Sequence, residues 1–231
     1  MAYMSLLKHN PGARVVCLIE DDALPYAVPE GVECVNVSGQ KWFGADCANI
    51  RTDFTYLSLM RVCYTKLFPG LDRVLQLDVD TIVCESLLPL WKIDLEGKYF
   101  AAVPEHLSQW KPYGSGVYYN AGVCLFNLER MREDGADDVL IDFLNHTRVP
   151  YIDQDALNWL NAEMGGAAAV EIGTRYNECF VTGESLRPAV VHAAGEKRWW
   201  TNLGDRYRGK YWQAYEGECR AEECRKAGIQ C

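Results

Sequence analysis

The run Leu75-Gln76-Leu77-Asp78-Val79-Asp80-Thr81-Ile82-Val83 is apolar apart from two aspartates one residue apart. Residues i and i+2 of an extended strand project to the same face, so a buried strand ending near Asp80 delivers both carboxylates to one spot. Two buried carboxylates are costly unless a shared proton, a cationic side chain or a metal ion relieves them. A metal site that begins with carboxylates favours a hard, oxygen-seeking cation such as Mg²⁺ or Mn²⁺. The triplet alone is equally compatible with a plain turn or helix cap, because aspartates crowd the loops that follow strands.

The rest of the chain supplies the setting. Tyr3 to His9 has the pattern of an amphipathic helix stopped by Asn10-Pro11-Gly12. Arg14 to Glu20 and Glu33 to Val37 are short apolar runs suited to strands covered on both faces. A helix is predicted over Thr55 to Phe68, closed by Pro69-Gly70 and carrying Arg61. Strands are predicted at Tyr99 to Val103, from Val117 to Leu128 and at Ala189 to His192, the second interrupted by Asn120-Ala121-Gly122, where backbone can approach a ligand closely. Helical patterns occupy Leu128 to Glu133, Ala136 to His146 and the stretch opened by Asp153, a candidate N-cap. Strands alternating with helices predict an α/β fold with an open, mainly parallel twisted sheet flanked by helices. Ligands in such folds bind beyond the carboxyl ends of the strands, and Asp78, Asp80, Asn120, Asp153 and His192 all fall at ends or breaks of predicted elements.

Composition narrows the partners. At 231 residues and 49% hydrophobic the chain can bury a sizeable core, and a net charge of −9 argues against a nucleic-acid backbone as partner. No apolar run is long enough to span a membrane, and the first ten residues lack the apolar centre of a secretory signal, so a cytoplasmic protein is expected. The ten cysteines include no Cys-x-x-Cys pair and read as buried free thiols; Cys219, Cys224 and Cys231 lack the spacing and fourth ligand of a zinc site. The chain divides into a main domain over 1–203 and a charged, aromatic helical tail over 204–231, with Tyr211, Trp212 and Tyr215 at helical spacing. Those aromatics serve packing or, alternatively, peripheral contact with a membrane or an acceptor.

The order of motifs carries more than any one of them. Asp-Val-Asp on a strand, then Tyr-Asn-Ala-Gly-Val, then Asp-Gln-Asp-Ala-Leu-Asn, then His192-x-x-Gly195 followed by Lys197-Arg198-Trp199-Trp200, resembles glycosyltransferase family 8 from about Ser5 to Trp200. The resemblance implies a GT-A fold and a retaining transfer of glucose or galactose from a UDP-sugar donor to a glycan or glycolipid acceptor. It implies a divalent cation, usually Mn²⁺ with Mg²⁺ as the alternative, held by Asp78, Asp80 and His192. By motif, Arg61, Asn120, Ala121 and Gly122 face the donor, Asp153 holds sugar hydroxyls, and Gln154 lies beneath the anomeric carbon. Gly195 presents its N–H to the diphosphate, with Lys197 or Arg198 as the phosphate-binding cation. An amide is a poor nucleophile, which favours front-face attack by the acceptor over a covalent intermediate.

Two departures from the family pattern set further expectations. The family's His-x-x-Gly-x-x-Lys-Pro-Trp has Arg198 and Trp199 at its Lys and Pro positions, and a guanidinium still clamps phosphate. The family's opening strand, which carries residues for the nucleotide base, has no counterpart here; Glu20-Asp21-Asp22 with Tyr26 is a substitute by composition, although its place fits the second strand. An exposed sheet position and a poorer base site are therefore expected. Two other readings compete: a non-catalytic sugar-nucleotide-binding relative, and a phosphatase of the haloacid dehalogenase type with Asp78 as nucleophile, for which no convincing lysine and acidic partner set is found.

Overall fold

The computed structural model describes residues 1–22, 30–52, 54–106, 116–195 and 206–227. The first helix, α1 (Ala2–His9), ends where Asn10 turns both its backbone N–H and its Nδ2 onto the Leu6 carbonyl. Strands β1 (Val15–Ile19) and β2 (Val32–Asn36) follow and pair in parallel. The helix expected over Thr55 to Phe68 is broken into α2 (Leu57–Met60), a 3₁₀ turn at Arg61–Cys63 and α3 (Tyr64–Leu67). Next come β3 (Arg73–Leu77), β4 (Thr81–Val83), α4 (Leu88–Trp91), β5 (Phe100–Pro104) and β6 (Tyr119–Asn127). The chain continues through α5 (Leu128–Glu133), α6 (Ala136–His146), α7 (Ile152–Glu163), β7 (Ala169–Glu171), a 3₁₀ turn at Thr174–Tyr176, β8 (Val190–His192) and α8 (Arg206–Ala227).

The open sheet flanked by helices is present, but its pairing is mixed rather than mainly parallel. Its central four strands run β3-β6-β5-β7, with β6 antiparallel to both neighbours and β5 parallel to β7. Strands β4 and β8 form a separate antiparallel pair. Apolar runs of this kind report that a strand is covered on both faces and leave its direction open.

Burial on β5 and β6 follows the two-residue period of a strand. Phe100, Ala102, Cys124 and Phe126 face one core, built with α2, α3, α5, α6 and α7, while Ala101, Val103, Val123 and Leu125 face a second, built with Leu87, Leu90, Leu95 and Val190. The ladder between β5 and β6 slips at one place: Ala102 pairs with Cys124, but Val103 pairs with Asn120. The bulged residues are Ala121, Gly122 and Val123, so the predicted break at Asn-Ala-Gly is a bulge inside a continuous strand. The bulge frees backbone groups for the site at the end of the sheet.

A third, smaller core joins the tail helix to the rest. Tyr215 is buried with Ile82, Val191 and Ala193, and Tyr211 and Trp212 pack against the same cluster. The Tyr215 hydroxyl also lies 3.0 Å from His9 Nε2, and Lys8 pairs with Glu218 at 2.9 Å, fastening α8 to α1. These aromatics pack behind β4 and β8. The seven cysteines whose side chains are described are free thiols, of which Cys47, Cys63, Cys124 and Cys179 are buried as expected and Cys17, Cys34 and Cys84 only partly so; Cys219, Cys224 and Cys231 lie outside the described side chains. Among the described residues, no helix is long and apolar enough to cross a membrane.

Candidate active site

Strand β3 ends at Leu77, earlier than expected, and the two aspartates occupy the turn before β4. Val79 between them is 88% exposed, whereas Asp80 is buried, so the turn presents the carboxylates inward and the valine outward. Asp78 N–H donates to the Gly122 carbonyl at 2.9 Å, which pins the turn to the bulge of β6. From β8, antiparallel to β4 with Thr81 opposite His192, the imidazole reaches the same place. His192 Nε2 lies 3.4 Å from Asp78 Oδ2 and 3.3 Å from Asp80 Oδ1. One ligand atom from each of the three residues falls within 4.8 Å of the others.

The other face of the ring fixes its tautomer. His192 Nδ1 is 2.9 Å from Asn177 Oδ1, and an amide oxygen only accepts, so Nδ1 carries the proton and Nε2 is the nitrogen offered to a cation. Gly122 makes room for the ring. A Cβ at that position would lie 2.1 Å from His192 Cε1 and 2.4 Å from Nδ1, so only glycine fits. The donor set suits Mn²⁺ or Mg²⁺ in its carboxylates, and its imidazole favours Mn²⁺.

Arg61 sits between the carboxylates and the first turn of α7. Its Nη2 is 2.5 Å from Asp78 Oδ1 and its Nη1 3.0 Å from Asp153 Oδ2. Burial pushes the Asp78 carboxyl up, but Arg61, His192 and Gln76 together bring it below its ordinary value. Burial dominates at Asp153, which stays above its ordinary value despite Arg61. Burial lowers His192, and this is more than offset by Asp78 and Cys179, which lift it to about 9 when no cation is bound. The protonated ring then occupies the charge balance that a metal ion would otherwise provide. Arg61 is therefore neither a surface charge nor a free cation: it neutralises two buried acids. Asp153, expected as an N-cap, lies inside the helix, whose N-cap is Tyr151, because its carboxylate is drawn to Arg61. Ile152, just before it, has a φ of 32°, an unusual backbone for a β-branched residue and a local source of strain.

Beyond the three candidate ligand residues runs a chain of hydrogen bonds. Asn177 Nδ2 donates to Asn120 Oδ1 at 2.7 Å, which also accepts from Gly122 N–H at 3.0 Å. Asn120 Nδ2 donates to Glu105 Oε1 at 2.8 Å, and the same oxygen accepts from Gln154 Nε2 at 3.1 Å. Gln154 Nε2 also approaches the Tyr118 hydroxyl, which donates to Asp155 at 2.7 Å. Gln154 Oε1 accepts from Ala121 N–H at 2.9 Å and keeps one lone pair unused by these contacts. The amide is thus held from both ends.

Of the residues expected at the site, Arg61, Asp78, Asp80, Asn120, Ala121, Gly122, Asp153, Gln154 and His192 are brought together. Gly195 lies three residues past His192 with φ +93°, and a Cβ there would lie 2.9 Å from the Phe180 ring. Lys197 and Arg198 lie outside the described residues, as does Tyr26. Three residues at the site have no motif to announce them: Glu105, Tyr118 and Asn177. Glu105 directly follows β5, and the rule that ligands lie beyond strand ends is the signal that points to it. Nothing in the linear pattern singles out Asn177.

Comparison with known proteins agrees with this geometry. The model of glycosyl transferase family 8 matches residues 41–192, well over half of the chain. General stress protein A of Bacillus subtilis is 29% identical over 170 residues, covering 62% of this chain and 58% of that protein. Glycosyltransferase GlyE of Streptococcus pneumoniae serotype 4 is 29% identical over 238 residues, covering 92% of this chain and 56% of that protein. The chain thus spans a little over half the length of these relatives. Among solved structures, galactosyltransferase LgtC with donor and acceptor sugar analogues superposes with a TM-score of 0.65 at 20% identity, covering 92% of this chain and 88% of that one. Apo GlyE gives 0.62 at 24% identity, covering 92% of this chain and 55% of that one. At such identities the superpositions show the fold, which is GT-A. The family match spans the aspartate pair, the Asn-Ala-Gly bulge, the start of α7 and His192, and by that match the chain belongs to glycosyltransferase family 8.

Proposed function

We propose that this chain is a metal-dependent retaining hexosyltransferase, moving glucose or galactose from a UDP-sugar to a glycan or glycolipid acceptor in the cytoplasm. The observation that carries the reading is the juxtaposition of the Asp78, Asp80 and His192 donor atoms with the clamped amide of Gln154 through one hydrogen-bonded chain. Asp78, Asp80 and His192 would hold Mn²⁺, or Mg²⁺ in its place, and the ion when bound supplies Lewis-acid neutralisation of a diphosphate leaving group.

The chain's own residues do the rest. Asn120 and the backbone of Ala121 and Gly122 border the donor sugar, with glycine letting the main chain approach. Asp153, held by Arg61, keeps an acceptor oxygen for sugar hydroxyls. Gln154, immobilised by Ala121, Glu105 and Tyr118, offers its remaining lone pair to positive charge developing at the anomeric carbon. An amide so engaged stabilises rather than attacks, and the acceptor hydroxyl enters on the face that the diphosphate leaves, which retains configuration. Gly195, with Lys197 or Arg198, faces the diphosphate. Among the described residues the groups beside Asp78 are Arg61, His192 and Gln76, and none of these is the lysine that the haloacid dehalogenase reading asks for.

Calorimetric titration of UDP with and without Mn²⁺, on the wild type and on Asp80→Ala, tests the reading. Binding that requires Mn²⁺ and disappears with the substitution supports it, and a screen of UDP-hexoses then identifies the sugar. Equal binding with and without metal, binding indifferent to Asp80, or no binding at all would overturn it.

A further inference from the structure

Helix α7 enters the candidate site by an irregular route. Among the described residues, Ile152 alone apart from glycines has a positive φ, and at 32° it is turned about 95° from an ordinary helical residue. It is the first residue of α7 and follows Tyr151, an N-cap with no side-chain capping bond. Its own side chain is buried in the main core at 1% exposure. A β-branched residue does not adopt such a backbone unless its surroundings impose it.

The neighbours on either side supply the constraint. Before the turn, Val149 N–H donates to Asn49 Oδ1 at 3.0 Å. After it, three consecutive side chains are held by three different partners: Asp153 by Arg61 at 3.0 Å, Gln154 by Ala121 N–H at 2.9 Å, and Asp155 by the Tyr118 hydroxyl at 2.7 Å. Three consecutive helical side chains span about 200°, wider than the face a surface helix buries, so the first turn of α7 is inserted into the site rather than laid across it. Only Pro150, Tyr151 and Ile152 lie between the fixed points. The proline ring fixes its own φ, and Tyr151 N–H is bonded to Asp155 Oδ2 at 2.8 Å, so the bend falls on Ile152.

A residue buried for packing alone needs its side chain, whereas a residue that sets direction needs its dihedral angle. Returning φ of Ile152 to an ordinary value, with the chain before it held in place, would swing Asp153 and Gln154 off Arg61 and Ala121. We propose that Ile152 is a positioning residue, whose left-handed backbone aims Asp153 and Gln154 at the donor sugar while its buried side chain only holds that backbone in place. The donor as target rests on the proposed hexosyl transfer; the dependence of the two side chains on the Ile152 backbone does not. Glycine adopts positive φ freely and alanine does not, although both delete the side chain, so the two substitutions separate direction from packing.

Ile152→Gly and Ile152→Ala, compared in the full chain, test this. At an ordinary helical position glycine is the less stable of the two. Here the glycine variant should melt at the higher temperature. Amide hydrogen exchange followed by NMR reports where Gln154 sits: Ala121 N–H should exchange about ten-fold faster in Ile152→Ala than in Ile152→Gly. Tyr119 N–H, bonded to Asn158 one turn further along α7, should exchange alike in both. With Mn²⁺ and whichever of UDP-glucose and UDP-galactose the wild type hydrolyses, kcat should be about ten-fold lower for the alanine variant than for the glycine variant at a similar KM. An alanine variant that melts at or above the glycine variant, equal exchange at Ala121, equal kcat in the two, or loss of the fold in both would each overturn the proposal. A wild type that hydrolyses neither sugar, with the melting order and the Ala121 difference intact, would count against hexosyl transfer and leave the role of Ile152 supported.

Discussion

The two edges of β3 stand in opposite surroundings. One is laddered to β6 and leads into a cluster where Asp78, Asp80, His192, Asn177, Asn120, Glu105 and Gln154 are linked side by side. The other lines a cavity, and no strand among the described residues pairs with it. The contrast teaches that the candidate site is built by the paired part of the sheet. The bulge in β6, the turn after β3 and the β4–β8 pair position the ligand atoms without help from β1. Closed regions should therefore be sensitive to single changes, and the open one tolerant.

The largest effect is expected at Arg61. Replacing it by methionine keeps the bulk but leaves Asp78 and Asp153 buried without their cation, a change that costs about 3–5 kcal/mol in such pairs. Urea melts at pH 7 should show that loss. Part of it should return near pH 5, because protonating the stranded carboxylates removes the uncompensated charge. In the open half, Arg14 pairs with Glu33 at 2.7 Å on the surface, and Arg14→Met should leave the melt unchanged. Equal effects at the two positions would erase the distinction between the halves.

The next effect is a pH dependence confined to the closed half. The His192 ring rises from an ordinary value of 6.5 to about 9 in the metal-free fold. A raised value means that the proton stabilises the native state, fully below about pH 6.5, with the contribution lost as pH climbs through 9. The lost stability amounts to about 3 kcal/mol. Mn²⁺ competes with the same proton, so its affinity should rise about ten-fold per pH unit below 9 and flatten above. Melts of the metal-free protein between pH 6 and 10, paired with Mn²⁺ titrations, read both signs. Affinity independent of pH would mean that Nε2 is not a ligand.

Much of this arrangement was legible in the linear pattern, and the exceptions have physical causes. Helices α5 and α6 were expected at the bounds where they occur, because their apolar periodicity is undisturbed. Periodicity predicts a continuous helix before β3, because it does not register the 3₁₀ turn that aims Arg61 at two acids. The open sheet is legible in the sequence but the direction of its strands is not, because direction depends on partners far apart in sequence, as β3 and β6 are. The residues of the Asp78, Asp80 and His192 cluster stand in the sequence as ordered motifs. Glu105 and Asn177 do not, because each acts through an amide or imidazole that reaches it only in three dimensions.

The smallest effect belongs to the cleft. Cys17 lies on β1, is only partly buried and lines the cavity, so Cys17→Ser exchanges one small group for another where packing is incomplete. The stability change should stay within about 0.5 kcal/mol, the range of substitutions away from packed cores. Mn²⁺ affinity should not move, because no ligand residue or its support rests on β1. A Cys17→Ser protein whose Mn²⁺ affinity shifts would show that β1 does support the site, and the contrast between the two edges of β3 would fail.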